Sequence, residues 1–239
     1  AVTLPAMFDR LRPSLVAALA LAVPACGGAK PAPVSRLADP TDSMVTSFGE
    51  ISEATWLGRN RWAVLAPTDA VVAIADLTSH EVRRLGGRGA EEIRNPSTLF
   101  RSGDMLAVGD WGLRRSTLWT LDGHAVGAIP ASDSPRGALP RAGDGAGRFY
   151  YELSPPPGPD GIGNRDSAVV VRAALREVRA DTLARLTPAD LAEVEGDAGR
   201  RFERRVFSGS DRWGVLPDGS LWVARVYKNR VAWRDADDD

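Results

Sequence analysis

Lysine, histidine and cysteine are nearly absent from this 239-residue chain. Lysine occurs only at Lys30 and Lys228, so arginine carries almost all the positive charge. That bias reads as nucleotide composition rather than arginine chemistry. A single cysteine, Cys26, excludes an intrachain disulfide and any cysteine-based zinc site. The two histidines, His80 and His124, stand far apart beside predicted turns and are read as solvated. With no Gly-x-Ser-x-Gly elbow, no Ser-His-Asp set is evident. No apolar run reaches the ~20 residues that a membrane-spanning helix needs. The formal net charge is −1, so no global field draws the chain to nucleic acid, and no nucleic-acid partner is expected. What remains is 44% hydrophobic and 26% charged, a composition that folds as one or two globular domains.

The first 26 residues are patterned for export. Arg10 and Arg12 precede Leu15-Val-Ala-Ala-Leu-Ala-Leu-Ala-Val-Pro-Ala25, and Cys26-Gly27-Gly28 follow. A basic stretch, a short apolar run and a small residue before the cut make a signal peptide. The run Val23-Pro24-Ala25-Cys26 resembles the lipobox of bacterial lipoproteins. The resemblance implies a lipidated Cys26 and a membrane partner through its acyl chains, each buried methylene contributing about 0.8 kcal/mol. Gly27 in the following position implies an outer-membrane address, facing periplasm or cell surface. Met7 is a plausible start, and residues 27–45 are expected to tether the body to the lipid.

Beyond residue 45 short β-type runs alternate with turns. Val64 and Val108 are 44 positions apart, as are Leu77 and Leu121, and His80 and His124. A period in the forties with three or four strands per unit predicts a propeller blade. The expected fold is all-β, a β-propeller of four-stranded antiparallel blades over 46–239. Blades are expected near 46–87, 93–130, 140–187 and 206–239. Asp218-Gly219 predicts a tight hairpin turn in the last. Ser154-Pro-Pro-Pro-Gly-Pro-Asp-Gly-Ile-Gly-Asn164 can only be a long loop. Thr187-Pro188-Ala-Asp190-Leu191 predicts one short inserted helix over 188–197, capped by Thr187.

Gly86-Gly-Arg-Gly89 lacks the lysine of a phosphate loop, and Asn95-Pro96 blocks the helix a dinucleotide fold requires. It is expected to carry the chain from the rim of one blade to the inner strand of the next. With "IRNPSTLF" and "GDMLAVGDWGLRRSTLWTLDG" it resembles an NHL-type repeat. "VFSGSDRWGVLPDGSLWVARVYKNRVAW" is similar to a blade of six-bladed β-propeller lipoproteins of bacteria. That family has six blades, so about four blades here imply an incomplete six-bladed propeller.

Two functional classes follow. The first is a binding module whose propeller face recognises a protein, peptide or glycan. Its candidate residues are Asp110, Trp111, Arg114 and Arg115 in the second unit and Arg225, Tyr227 and Arg230 in the fourth. For Asp110 and Arg115 the resemblance implies first a structural role, bonding to each other and to their turn. The alternative is a calcium-dependent lactonase-like hydrolase with Glu50, Asn95 and Asp110 as candidate ligands. No catalytic set and no cofactor are assigned. Trp56, Trp62, Trp119, Trp222 and Trp233 are expected to pack between sheets. Expressed in a bacterium fed a clickable fatty acid, the full chain should be labelled and Cys26→Ser should not; equal labelling of the two would sink the lipid anchor.

Overall fold

The computed structural model describes residues 38–86, 92–155, 168–177, 179–188, 190–196 and 199–237. The chain forms two compact units, Ala1–Thr41 and Asp42–Asp239. Only 38–41 of the first are among the described residues, so the architecture below is that of the second. Cys26, most of the tether, the Gly87–Gly89 crossing and the proline-rich stretch from 156 lie outside the described residues.

Four antiparallel sheets follow one another along the chain. The first comprises β1 (Glu53–Gly58), β2 (Arg61–Ala66), β3 (Val71–Asp76) and β4 (Glu81–Leu85). The second comprises β5 (Pro96–Ser102), β6 (Met105–Asp110), β7 (Arg115–Thr120) and β8 (Ala125–Pro130). The third comprises β9 (Ala142–Gly143), β10 (Phe149–Leu153), β11 (Val169–Ala173) and β12 (Asp181–Arg185). A separate hairpin, β13 (Leu191–Gly196) with β14 (Gly199–Arg204), precedes the last sheet. That sheet holds β15 (Arg212–Val215), β16 (Leu221–Arg225) and β17 (Arg230–Arg234). The first strands β1, β5, β9 and β15 meet their successors in turn and together line a central cavity. Sequential meanders stacked face to face around their first strands make a β-propeller of four blades.

Period-2 patterning explains the stacking. Leu57, Leu65, Val72, Ile74 and Leu85 of blade 1 interlock with Leu99, Leu106, Val108 and Trp119 of blade 2. Phe100, Ala107, Leu118 and Ile129 on the opposite face of blade 2 meet Phe149, Tyr151 and Val171 of blade 3. Phe100 and Phe149 cross edge to face at 5.9 Å. Val170 on the other face of blade 3 packs with Leu221 and Val223 of blade 4. Each fully buried aliphatic side chain contributes about 1.5–3 kcal/mol, so these three layers hold the blades together. The 44-residue offset lands on equivalent places. Val64 lies in β2 and Val108 in β6, and each points toward the preceding-blade side of its sheet. His80 and His124 are both exposed, in the β3–β4 and β7–β8 connections. Gly219 closes the β15–β16 turn at φ +94.

The structure corrects two expectations. Residues 191–196 are strand, not helix: β13 pairs with β14 from Leu191↔Arg204 to Gly196↔Gly199. Thr187 donates its N–H and hydroxyl to Asp211, at 2.8 and 2.9 Å, and so is not capping a helix. Arg205 closes the base of the hairpin through Asp190. The second correction concerns tryptophan. Trp119 is buried between blades 1 and 2. Trp56 and Trp62 instead form a cross-strand pair on the side of blade 1 turned away from blade 2, and Trp56 is 57% exposed. Trp222 and Trp233 pair on the side of blade 4 turned away from blade 3, and Trp233 is 63% exposed. These two faces have no following or preceding sheet among the described residues, whereas Trp119 has one.

Inner strands β5 and β9 approach closely at Gly143. A Cβ there would collide with the Ser102 side chain and come within 3.0 Å of the Arg101 carbonyl oxygen. Gly143→Ala is therefore expected to cost about 1–3 kcal/mol and to lower the melting temperature by several degrees. Adding Ser102→Gly should recover part of that loss; additive losses in thermal melts would show that the two residues do not compete for space.

Candidate functional site

A cavity of about 490 Å³ opens between blades 2 and 3, at the end where β5 and β9 begin. Ser97, Trp111, Arg114, Arg136, Arg141 and Glu152 line it. Three tight segments present these side chains. The first is the β6–β7 turn. Asp110 is almost fully buried and accepts the N–H groups of Arg94 at 2.7 Å, Asn95 at 3.1 Å and Leu113 at 2.9 Å. The Trp111 N–H donates to the Asn95 carbonyl at 3.0 Å. Asp110 thus fastens the turn to the chain entering blade 2 and sets Trp111 and Arg114 at its tip. Gly112 sits so close to Arg94 and Asn95 that a Cβ would lie 3.2 Å from both. Trp111 is 49% exposed, leaving its ring open to a ligand.

The second segment is the connection from blade 2 to blade 3. It winds through 3-10 turns at Ala131–Asp133 and Pro135–Gly137. The Ala131 N–H donates to the Arg114 carbonyl at 2.9 Å, which couples this connection to the β6–β7 turn. Arg114 and Arg136 both hold left-handed backbone, with φ of 49° and 51°. Neither guanidinium has a hydrogen bond or ion pair within the described structure.

The third segment is the start of blade 3. Arg141 Nη1 lies 2.7 Å from Glu152 Oε2, and Trp213 Nε1 of blade 4 donates to the same oxygen at 2.8 Å. Glu53 of blade 1 accepts the Leu99 N–H at 2.6 Å. Burial pushes the Glu53 pKa up, and this outweighs the Leu99 N–H and the nearby charge of Arg141.

The structure therefore brings Trp111 and Arg114 together with Arg136, Arg141 and Glu152, and uses Asp110 as their support. Arg115 donates to the Glu92 carbonyl at 3.2 Å, behind the turn. Arg225 donates to Asp211 at 2.8 Å and to the Arg185 carbonyl at 2.6 Å, a junction between blades 3 and 4. Tyr227 and Arg230 are exposed at the β16–β17 turn and do not line the cavity. Of the candidate calcium ligands, Asp110 spends both oxygens on backbone N–H groups, and Glu50 accepts the Thr68 hydroxyl. Among the described residues no three His, Cys, Asp or Glu side chains are grouped to hold a metal ion. The repeat does not single out Arg136 and Arg141, which sit in an inter-blade connection without a repeat partner. The signal that could have found them is Ser134-Pro135-Arg136-Gly137, a tight turn carrying arginine.

A second cavity of about 600 Å³ lies on the axis, at the other end of the inner strands. Trp56, Phe100, Arg101 and Val215 line it. Asp144 stands beside it and accepts from Arg148 Nε at 2.6 Å and from the Tyr150 hydroxyl at 2.8 Å.

No protein-family model matches the sequence, and no curated protein matches it. Solved structures with a similar course of chain include one from a nidogen/laminin complex, at 16% identity and TM-score 0.43, covering 78% of this chain and 76% of that one. A putative exported protein of Bacteroides fragilis NCTC 9343 aligns at 10% identity and TM-score 0.41, over 83% and 74%. The Cps50 (Swd1) β-propeller domain of Myceliophteria thermophila aligns at 16% and 0.41, over 76% and 63%. At this level of likeness the fold assignment rests on the sheets and their packing.

Two buried carboxylates have pKa values held below the usual range. Burial opposes the charge of Asp144, but the Arg148 N–H, the Tyr150 hydroxyl and the Arg148 guanidinium outweigh it and hold its pKa below the usual value. Burial likewise opposes the charge of Asp211, and the Thr187 and Val226 N–H groups with Arg225 outweigh it. Their contribution to stability is present above the ordinary carboxylate pKa and is lost as pH falls through the depressed folded values. Tyr150 behaves oppositely. Burial and then Asp144 push it from 10.0 to about 12, so its contribution is present below 10.0 and is lost as pH rises through about 12. Asp144→Asn should cost about 3 kcal/mol at neutral pH, flatten the acid limb of a stability–pH curve and move the alkaline limb toward lower pH. Unchanged limbs would show that Asp144 is not the titrating group.

Proposed function

We propose that this chain is a lipid-anchored β-propeller of the six-bladed, NHL-like kind that acts outside the cytoplasm as a binding module. The observation that carries the binding assignment is the cavity between blades 2 and 3, where a half-exposed Trp111 stands beside two guanidiniums, Arg114 and Arg136, that have no partner among the described residues. Concave sites with one aromatic wall and a few converging polar groups are where propeller faces and other scaffolds take ligands. The anchor reading is supported by the basic and apolar leader that ends at Cys26, the chain's only thiol. It places the module at the cell envelope, on the outer membrane, with a protein, peptide or glycan as its soluble partner. The six-blade count is supported by the exposed tryptophan pairs on blades 1 and 4. A ring of six sets one more sheet against each of those faces.

The test titrates the protein with defined peptides and with neutral and acidic oligosaccharides, following tryptophan emission and heat. At least one probe is expected to bind, with binding lost in Trp111→Ala and kept in Tyr227→Ala, which lies away from the cavity. Binding indifferent to Trp111, or no binding across the panel, would remove the cavity as the functional site.

A further inference from the structure

We propose that the cavity between blades 2 and 3 takes an acidic saccharide, with its negative group on Arg114 and Arg136 and its ring against Trp111. This rests on the binding-module reading above and adds the class of ligand. Three guanidiniums face the cavity, from Arg114, Arg136 and Arg141, against one carboxylate, Glu152. Glu152 is already engaged by Arg141 and by the Trp213 indole. Among the described residues the uncompensated charge is therefore that of Arg114 and Arg136, and it is positive in a protein whose overall charge is −1. A local field of this kind inside a concave wall favours an anion over a neutral ligand.

Guanidinium chemistry narrows the anion. A planar fork of N–H donors matches an acidic group with two or more oxygens, and Arg makes such contacts bidentate. Arg114 and Arg136 come from two different segments that are tied by the hydrogen bond between the Ala131 N–H and the Arg114 carbonyl. One acidic group can thus be gripped from two sides without either turn having to move. Both arginines hold left-handed backbone, a conformation that costs a side-chain-bearing residue ~1 kcal/mol. Glycine would occupy these positions without strain, so the backbone gives no reason for arginine there.

Trp111 selects the body of the ligand. Its ring is half exposed at the rim while its backbone is pinned to Asn95. An exposed indole face offers stacking to the apolar face of a sugar ring, whereas an extended peptide is bound best along a free strand edge. A volume of about 490 Å³ falls within the range of small-ligand sites and is closed on two sides by blades.

The experiment compares trigalacturonate with its methyl ester, the same rings without the charge, by titration calorimetry on the folded protein at low and high salt. Trigalacturonate should bind, weaken with salt and exceed the ester by about tenfold or more. Arg114→Gly and Arg136→Gly remove the guanidiniums while relieving the positive φ, so their melting temperatures should not fall. Each should still cost about tenfold in trigalacturonate affinity. The double variant should bind acid and ester alike, and Trp111→Ala should weaken both. Equal binding of acid and ester by the wild type, or arginine variants that bind the acid undiminished, would overturn the acidic class while leaving a Trp111-dependent site standing. Hexaglutamate binding that needs the arginines but not Trp111 would overturn the saccharide. Failure of every probe to bind in a Trp111-dependent way would remove the binding-module reading itself.

Discussion

Asp144 sits where three blades meet, and its surroundings show the constraint under which the whole molecule is built. Its backbone carbonyl accepts the Gly103 N–H of blade 2 at 2.7 Å, and the neighbouring Gly145 N–H reaches the Pro217 carbonyl of blade 4 at 2.7 Å. Its side chain gathers Arg148, Tyr150 and two N–H groups of its own turn. The first strands of a propeller converge, and their turns carry N–H groups that no ladder satisfies. The donors lie in tight turns and are met by carboxylates that are themselves buried. Asp110 and Asp211 answer the same need at the other junctions. A buried carboxylate is costly alone, and it is tolerated because each has at least three donors.

The candidate site is a by-product of that solution. Asp110 immobilises the turn from behind, so Trp111 and Arg114 project from a rigid base into the gap between blades 2 and 3. The connecting segment that must cross this gap brings Arg136 and Arg141 to the same place. Arg225 lies on the hairpin that corresponds to Arg114 in blade 4, yet it is drawn inward by Asp211 and becomes part of a junction. Equivalent hairpins can therefore do opposite work. They differ at the strand end that enters the turn, where blade 2 has Asp110 and blade 4 has Arg225.

Much of the architecture was legible beforehand. The 44-residue offset between Val64 and Val108 reflects two strands that occupy the same place in successive blades, and the hairpin signal at Asp218-Gly219 marks a real turn. The inserted helix was misread because Thr187, Pro188 and Asp190 are helix-start residues by composition. A carboxylate 24 positions away, Asp211, takes the Thr187 hydroxyl, and residues 191–196 then pair with 199–204 as a hairpin. The tryptophans were read as packing residues because aromatic residues on strands usually are. Whether a given sheet face has a neighbour is not a property of the strand that carries it, as Trp119 and Trp56 show.

Period, turn chemistry and the alternation of apolar residues act over a few positions, so strand identity, blade spacing and the all-β class were set locally and could be read along the chain. The grouping of Trp111, Arg114, Arg136 and Arg141 around one cavity could not. It depends on how far each blade rotates against the next, and that rotation is fixed by the packing of Phe100 on Phe149 and by inter-blade hydrogen bonds such as that from the Gly103 N–H to the Asp144 carbonyl. Contacts between distant residues carry no short-range pattern, which is why the fold was visible in the order of residues and the site emerged only when the blades were stacked.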